Sequence, residues 1–153
     1  MGSIMVRVTA KWQVWSPRLQ SLLRIVVALL FMQVGAMKLF AFPTGIPPSG
    51  GTVKLISELG LAGILEAFGG LLLLLGLFTR PVAFILAGEM AVAYFQFHFP
   101  RGFWPVMNGG QLALLYCFTW LYFSAAGPGP WSIDALHAKK RRQPNVGDED
   151  PGK

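Results

Sequence analysis

Charge is what this chain has least of. Of its 153 residues, 7 are Asp or Glu and 13 are Lys or Arg, together 13%, against roughly a quarter in an ordinary soluble domain. So few charges cannot cover a water-facing surface, which argues against a soluble globular domain. Cysteine is nearly absent too. Cys117 stands alone, which excludes an intrachain disulfide, a CxxC redox pair and a thiolate metal cluster and leaves a small apolar side chain. Histidine is limited to His98 and His137, far apart in the chain, so neither a bis-histidine haem nor a histidine-built metal centre is supported and no metal is expected. The chain has no visible redox centre of its own.

What it has instead is apolar length. Hydrophobic residues make up 54% of the chain and fall into four blocks, residues 19–42, 59–78, 81–99 and 110–126. A bilayer core about 30 Å thick needs roughly 20 residues of helix to cross it. The blocks end at ordinary breakers: "FPTGIPPSGG" after the first, Thr79 and Arg80 before Pro81, "FPRGFWPVMNGG" after the third and "GPGPWSID" after the fourth. The pattern predicts an all-α integral membrane bundle of four antiparallel transmembrane helices with both termini on one side. The first block is too long for the hydrophobic core of a signal peptide and reads as a permanent helix.

Three regions follow: a basic N-terminal arm over 1–17 carrying Trp12 and Trp15, a transmembrane domain over 18–134, and a polar tail over 135–153 expected to be disordered. Arg7, Lys11, Arg18, Arg80 and the run Lys139, Lys140, Arg141, Arg142 lie on the side of the termini, against Lys54 and Arg101 on the other. The positive-inside rule therefore places both termini in the cytoplasm. The basic run beside a membrane helix is a topology determinant touching anionic lipid rather than a nucleic-acid site, since no nucleic-acid module accompanies it.

The informative residues are ionisable groups inside the apolar blocks: Arg24, Lys38, Glu66 and Glu89, with Glu58 at a boundary. Each is costly in hydrocarbon, by about 2.5–3.5 kcal/mol if charged at mid-helix, so they should face one another. At about 1.5 Å per residue, Arg24 and Glu89 fall roughly 9 and 12 Å in from the same side and form a candidate buried ion pair. Glu66 descends about 10 Å from the opposite side, level with Gln33 and Gln96. Lys38 and Glu58 both fall near that outer boundary, where they could pair. Arg24 and Lys38 share one face of the first helix with Ala28, Phe31 and Gly35; Glu66 shares its face with Gly69 and Gly70, small residues that let helices approach. Glu66, Gln33, Gln96, His98 and Lys38 thus make a candidate polar seam or ligand pocket. Two readings stay open at this point: interhelical hydrogen bonding that holds the bundle together, or a pocket or proton route. His98, in the aromatic stretch "YFQFHFPRGFWP", reads first as an interfacial residue and second as a quinone or proton ligand.

Four stretches in order, "VGAMKLF", "EAFGGLLLLLGLFTRP", "HFPRGFWPVMNGGQLALLYCF" and "GPGPWSID", resemble the DoxX family of small four-helix bacterial membrane proteins, over residues 18 to 134. Lys38, Glu66, Gly69, Gly70, Arg80, Gly127, Ser132 and Asp134 fall at motif positions; Gln111 stands where the family often has Glu. The resemblance implies a subunit or accessory of a quinone-linked respiratory or redox and thiol-stress system, with quinone as a bound rather than intrinsic cofactor. The partners implied are the bilayer and other redox-complex subunits, with a homo-oligomer also open. Two alternatives are a non-catalytic scaffold or assembly factor, and a small-solute or proton transporter with Arg24, Glu66 and Glu89 as relay groups.

Overall fold

The computed structural model describes the backbone of residues 2–142 and the side chains of residues 12–141. Four helices build the membrane bundle: α1 (Gly2–Phe40), α2 (Glu58–Leu75), α3 (Thr79–Arg101) and, after the short helix α4 (Pro105–Asn108), α5 (Gln111–Ala126); α6 (Ile133–Arg142) follows. Among the described residues there is no strand, only an isolated bridge between Ile46 and Gly51 in the loop joining α1 to α2. The apolar stretch of α1, Trp12–Phe40, has 29 residues, α2 has 18 and α3 has 23. At about 1.5 Å per residue these reach about 43, 27 and 34 Å; α1 and α3 exceed a hydrocarbon core of about 30 Å, and α2 falls at the short end of the roughly 17–25 residues that span one. The fourth, α5, has 16 residues and is the shortest crossing.

The helices pack as two pairs, α1 with α2 and α3 with α5. Lipid offers no hydrophobic force between helices, so close approach must come from small residues and shape. A Cβ placed on Gly35 of α1 would run into the backbone of Ala67 and Gly63 on α2. Gly70 faces Met32 of α1, and Gly69 faces Leu86 of α3, so two adjacent glycines on α2 seat two different neighbours. Ala28, Phe31, Leu73, Ala83, Leu86, Trp120 and Phe123 close the centre. Phe31 joins the pairs through edge contacts to Tyr116 and Trp120, at 4.9 and 5.4 Å. Large apolar side chains such as Leu22, Leu29, Phe84, Leu115 and Phe118 point outward, as a lipid-facing surface requires.

The end of the bundle that carries the termini is held by polar side chains bonded to backbone. Arg24 is fully buried; its Nε donates to the Pro128 carbonyl at 2.9 Å and its terminal nitrogens donate to the carbonyls of Leu73, Leu74 and Trp131. Leu73 and Leu74 lie in the last turn of α2, whose free carbonyls favour a cation. Asp134 does the converse for α3: its two carboxylate oxygens accept from the N–H groups of Phe78 and Thr79, both at 2.9 Å. Gly76, with φ 66°, sits so close to Ser132 that a side chain there would collide with it.

Three expectations are corrected here. Arg24 does not pair with Glu89. Arg24 lies level with the α2–α3 turn, whereas Glu89 stands ten residues into α3, about 15 Å along it; counting depth from the edges of the apolar blocks put the two at one level. The tail expected to be disordered from residue 135 is helical as far as Arg142 in α6, started by Ser132, whose Oγ accepts from the Ala135 N–H at 3.1 Å; residues 143–153 lie outside the described residues. From Gly2 onward the arm is continuous with α1, Pro17 included; Met1 and the side chains of residues 2–11 lie outside the described residues as well.

Candidate functional site

The other half of the bundle holds a cavity of about 640 Å³ between the two helix pairs, lined from α1, α2, α3 and α5 and by Gly109 of the α4–α5 turn. Its walls are mostly Leu, Phe, Val and Ala, and Lys38, Glu58, Glu66, Glu89, His98 and Tyr116 supply the ionisable groups. Leu61, Ile85, Val92 and Leu112 line it while remaining more than half exposed. The cavity is therefore open at its side, where α2, α3 and α5 present these exposed apolar residues.

Each polar group is placed by a local feature of its helix. Lys38 stands in the last turn of α1, and the following loop folds back so that the Val53 N–H donates to the Lys38 carbonyl at 2.9 Å. Its ammonium reaches Glu66, Nζ to Oε1, at 2.7 Å. Glu66 lies in a wide π turn, Leu65–Gly69, in the middle of α2. It is 2% exposed, and its second oxygen, Oε2, has no partner. Glu89 projects from the regular part of α3, and neither of its buried carboxylate oxygens has a partner.

His98 closes a second π turn, Tyr94–His98, near the end of α3. Its Nδ1 lies 3.2 Å from the Asn108 carbonyl. Asn108 is itself buried, donating from Nδ2 to the Gly102 carbonyl at 2.7 Å and accepting from the Gly110 N–H at 2.8 Å. The loop between α3 and α5 is therefore tied to the histidine it positions. Tyr94 stacks beside His98 with ring centroids 6.4 Å apart.

Of the seam expected from sequence, the structure brings Lys38, Glu66 and His98 to one cavity and leaves Gln33 and Gln96 out. Gln33 and Gln96 are both exposed. Gln33 matches Glu66 in depth but not in phase, since it lies about 200° around α1 from Phe31, which lines the cavity. Gln96 fails for a different reason. A regular helix would keep it on the Glu89 stripe; the extra residue taken up by the π turn rotates the end of α3 by about 100°, turning Gln96 to lipid and His98 inward. Glu89 belongs to this site rather than to Arg24, and Lys38 bonds Glu66, not Glu58, whose side chain is exposed at the cavity wall. Tyr116 and Asn108 are site residues that sequence reasoning missed. Tyr116 is one aromatic among many in α5, and only the "MNGG" turn hinted at Asn108.

Chemically, the site is an apolar chamber with one ion pair and two further carboxylates, Glu89 and Glu58, at its wall. It can hold a lipid-soluble molecule, bond to a polar head and exchange protons with it.

A small all-α bundle with such a chamber in one half defines an integral membrane protein with a built cavity open at its side. The chain belongs to the DoxX family, whose model it matches over residues 19–99. It is 44% identical to an uncharacterized protein of Haemophilus influenzae over 129 residues, 82% of this chain and 96% of the relative. It is 32% identical to the inner membrane protein YqjF of Escherichia coli, over 76% of this chain and 90% of the relative. It is 26% identical to the uncharacterized membrane protein Rv3486 of Mycobacterium tuberculosis, over 77% and 80% of the two chains. No solved structure matches the chain significantly.

Proposed function

We propose that the chain binds a membrane-dissolved ligand of the quinone class in this cavity and serves as an integral subunit or accessory of a quinone-linked redox system. The observation that carries the reading is the cavity itself: about 640 Å³, within the 300–1,000 Å³ typical of small-molecule sites, with a polar cluster at one wall and an opening to lipid at another. A molecule with a flat polar head and a long apolar tail satisfies both. The head meets Lys38, Glu66, Glu89 and His98, and the tail leaves between α2 and α3 without exposing apolar surface to water.

The chain's own residues bind, orient and exchange protons with the head. Electron transfer belongs to a partner that carries its own cofactor. On this reading both termini are cytoplasmic, which the excess of Lys and Arg on their side supports, and the name of the Escherichia coli relative fits an inner-membrane location.

The test is mass spectrometry of the lipophilic molecules extracted from purified protein, wild type beside a folded Glu66→Gln variant. The reading predicts quinone near one per chain in the wild type and its loss in the variant. Bulk lipid alone, at equal levels in both, would contradict it and leave the ion pair as an interhelical bond in a scaffold.

A further inference from the structure

Gln20 and Gln33 stand in the same helix and meet different surroundings. Gln20 is turned into the bundle, where its Nε2 donates to the Gly127 carbonyl at 2.7 Å. Gln33 is exposed on the outer face of α1. Its depth follows from its neighbours: Met32 lies against Gly70 and Gly35 against Ala67, so Gln33 stands opposite the stretch between them, within about 5 Å of the middle of the 18-residue α2. Water and headgroups lie half a hydrocarbon core, about 15 Å, away, farther than a glutamine side chain reaches. Gln96, the other outward glutamine of the seam, stands near Arg101 at the end of α3, about 7.5 Å along the helix, close enough to the boundary to be wetted. A carboxamide needs both an acceptor and a donor, and lipid tails offer Gln33 neither.

The face around Gln33 is shaped for another helix. Leu19, Val26, Gln33 and Phe40 recur every seven residues, and Leu22 and Leu29 follow the first two at a spacing of three; all are exposed. This is the a and d spacing of a helix pair crossing at about 20°, in which a single polar residue at an a position fixes the register. We propose that a second copy of this chain covers this face, α1 packed parallel against α1, with the two Gln33 carboxamides bonded to each other. Symmetry sets the occupant. Both copies enter the membrane in the same orientation, so a two-fold axis along the membrane normal brings residue 33 opposite its equivalent at the same depth. Each carboxamide carries a donor and an acceptor, so the two exchange a reciprocal pair of hydrogen bonds. A different membrane protein would need a matching donor and acceptor at that depth by coincidence; a second copy has them by construction. The interface leaves the cavity free, because α1 enters the cavity lining through Phe31, Val34 and Lys38, on another side of the helix.

The experiment labels the full chain at its N-terminus with donor or acceptor fluorophores and follows energy transfer between copies in liposomes over a range of lipid-to-protein ratios. The wild type should show transfer that falls on dilution, as a reversible dimer requires. Gln33→Leu should weaken association about tenfold, through loss of two interhelical hydrogen bonds. Gln33→Asn, which keeps the carboxamide, should retain most of the association, and Gln96→Leu should change nothing. Oxidative cross-linking of Val26→Cys and of Phe118→Cys, each in a Cys117→Ser background, locates the contact without disturbing Gln33: a dimer is expected from the first, on α1, and none from the second, on α5. A chain that is monomeric at every density overturns the proposal, as does association that survives Gln33→Leu unchanged or is weakened equally by Gln96→Leu. Cross-linking through Phe118 with none through Val26 overturns it too, and leaves Gln33 to a partner of another kind.

Discussion

At the scale of single residues, two cations of the same helix, Arg24 fully buried and Lys38 partly so, do different work. Lys38 has one carboxylate partner in the cavity wall, and Arg24 has four backbone carbonyls at the opposite end of the bundle. Removing one member of a buried ion pair strands the other, which costs roughly 3–5 kcal/mol, whereas replacing both by apolar groups is often neutral. Lys38→Met should therefore lower stability strongly, and Lys38→Met with Glu66→Leu should recover most of the loss, as measured by reversible unfolding in mixed micelles. An equal loss in the single and double variants would argue against the pair. For Arg24 the expectation concerns shape. A guanidinium offers five donors in a fixed fork, an ammonium three at one point. Arg24→Lys should fail to satisfy the carbonyls of Leu73, Leu74, Pro128 and Trp131 and should cost on the order of 3 kcal/mol, with ligand affinity unchanged because Arg24 lies outside the cavity lining. A thermal unfolding scan that matches wild type would contradict this. That these residues matter was legible from their presence in apolar blocks; their partners were not. Arg24 bonds to backbone carbonyls, which every residue carries and no sequence pattern marks.

At the scale of elements, the four crossings could be read from the lengths of the apolar blocks and their Gly and Pro boundaries, because bilayer thickness fixes both. The two π turns could not. Each takes up one extra residue inside an otherwise continuous helix, the second just ahead of Pro100, which by itself marks the end of the helix and not a π turn, and each holds a site residue: Glu66 in one and His98 in the other. That single feature explains why uniform phase arithmetic put Gln96 in the seam. The α1–α2 contact, by contrast, follows from glycine spacing. Gly35→Leu should push α1 away from the Ala67 backbone and reduce the yield of folded, monodisperse protein on size-exclusion chromatography. Gly88, whose surroundings are open, should tolerate Ala without change. Loss of fold at Gly88 or tolerance at Gly35 would mean that the helix pairs are arranged differently.

At the scale of the molecule, the bundle divides into a braced end and an open end. Arg24, Asp134 and the "GPGPWSID" segment tie α1, α2, α3 and α6 together where the termini lie. The pairs α1/α2 and α3/α5 leave room between them toward the other end, and the ionisable groups line that room. The division assigns stability to one half and ligand chemistry to the other. Photoaffinity labelling of the full chain in nanodiscs with a decyl-tailed azidoquinone, followed by peptide mapping, tests this most directly. The account predicts labelling concentrated on the cavity-lining parts of α2 and α3, around Leu61 to Glu66 and Val92 to His98, and suppressed by an excess of the unlabelled quinone. Labels scattered over the lipid-facing side chains of all four crossings, with no competition, would contradict it.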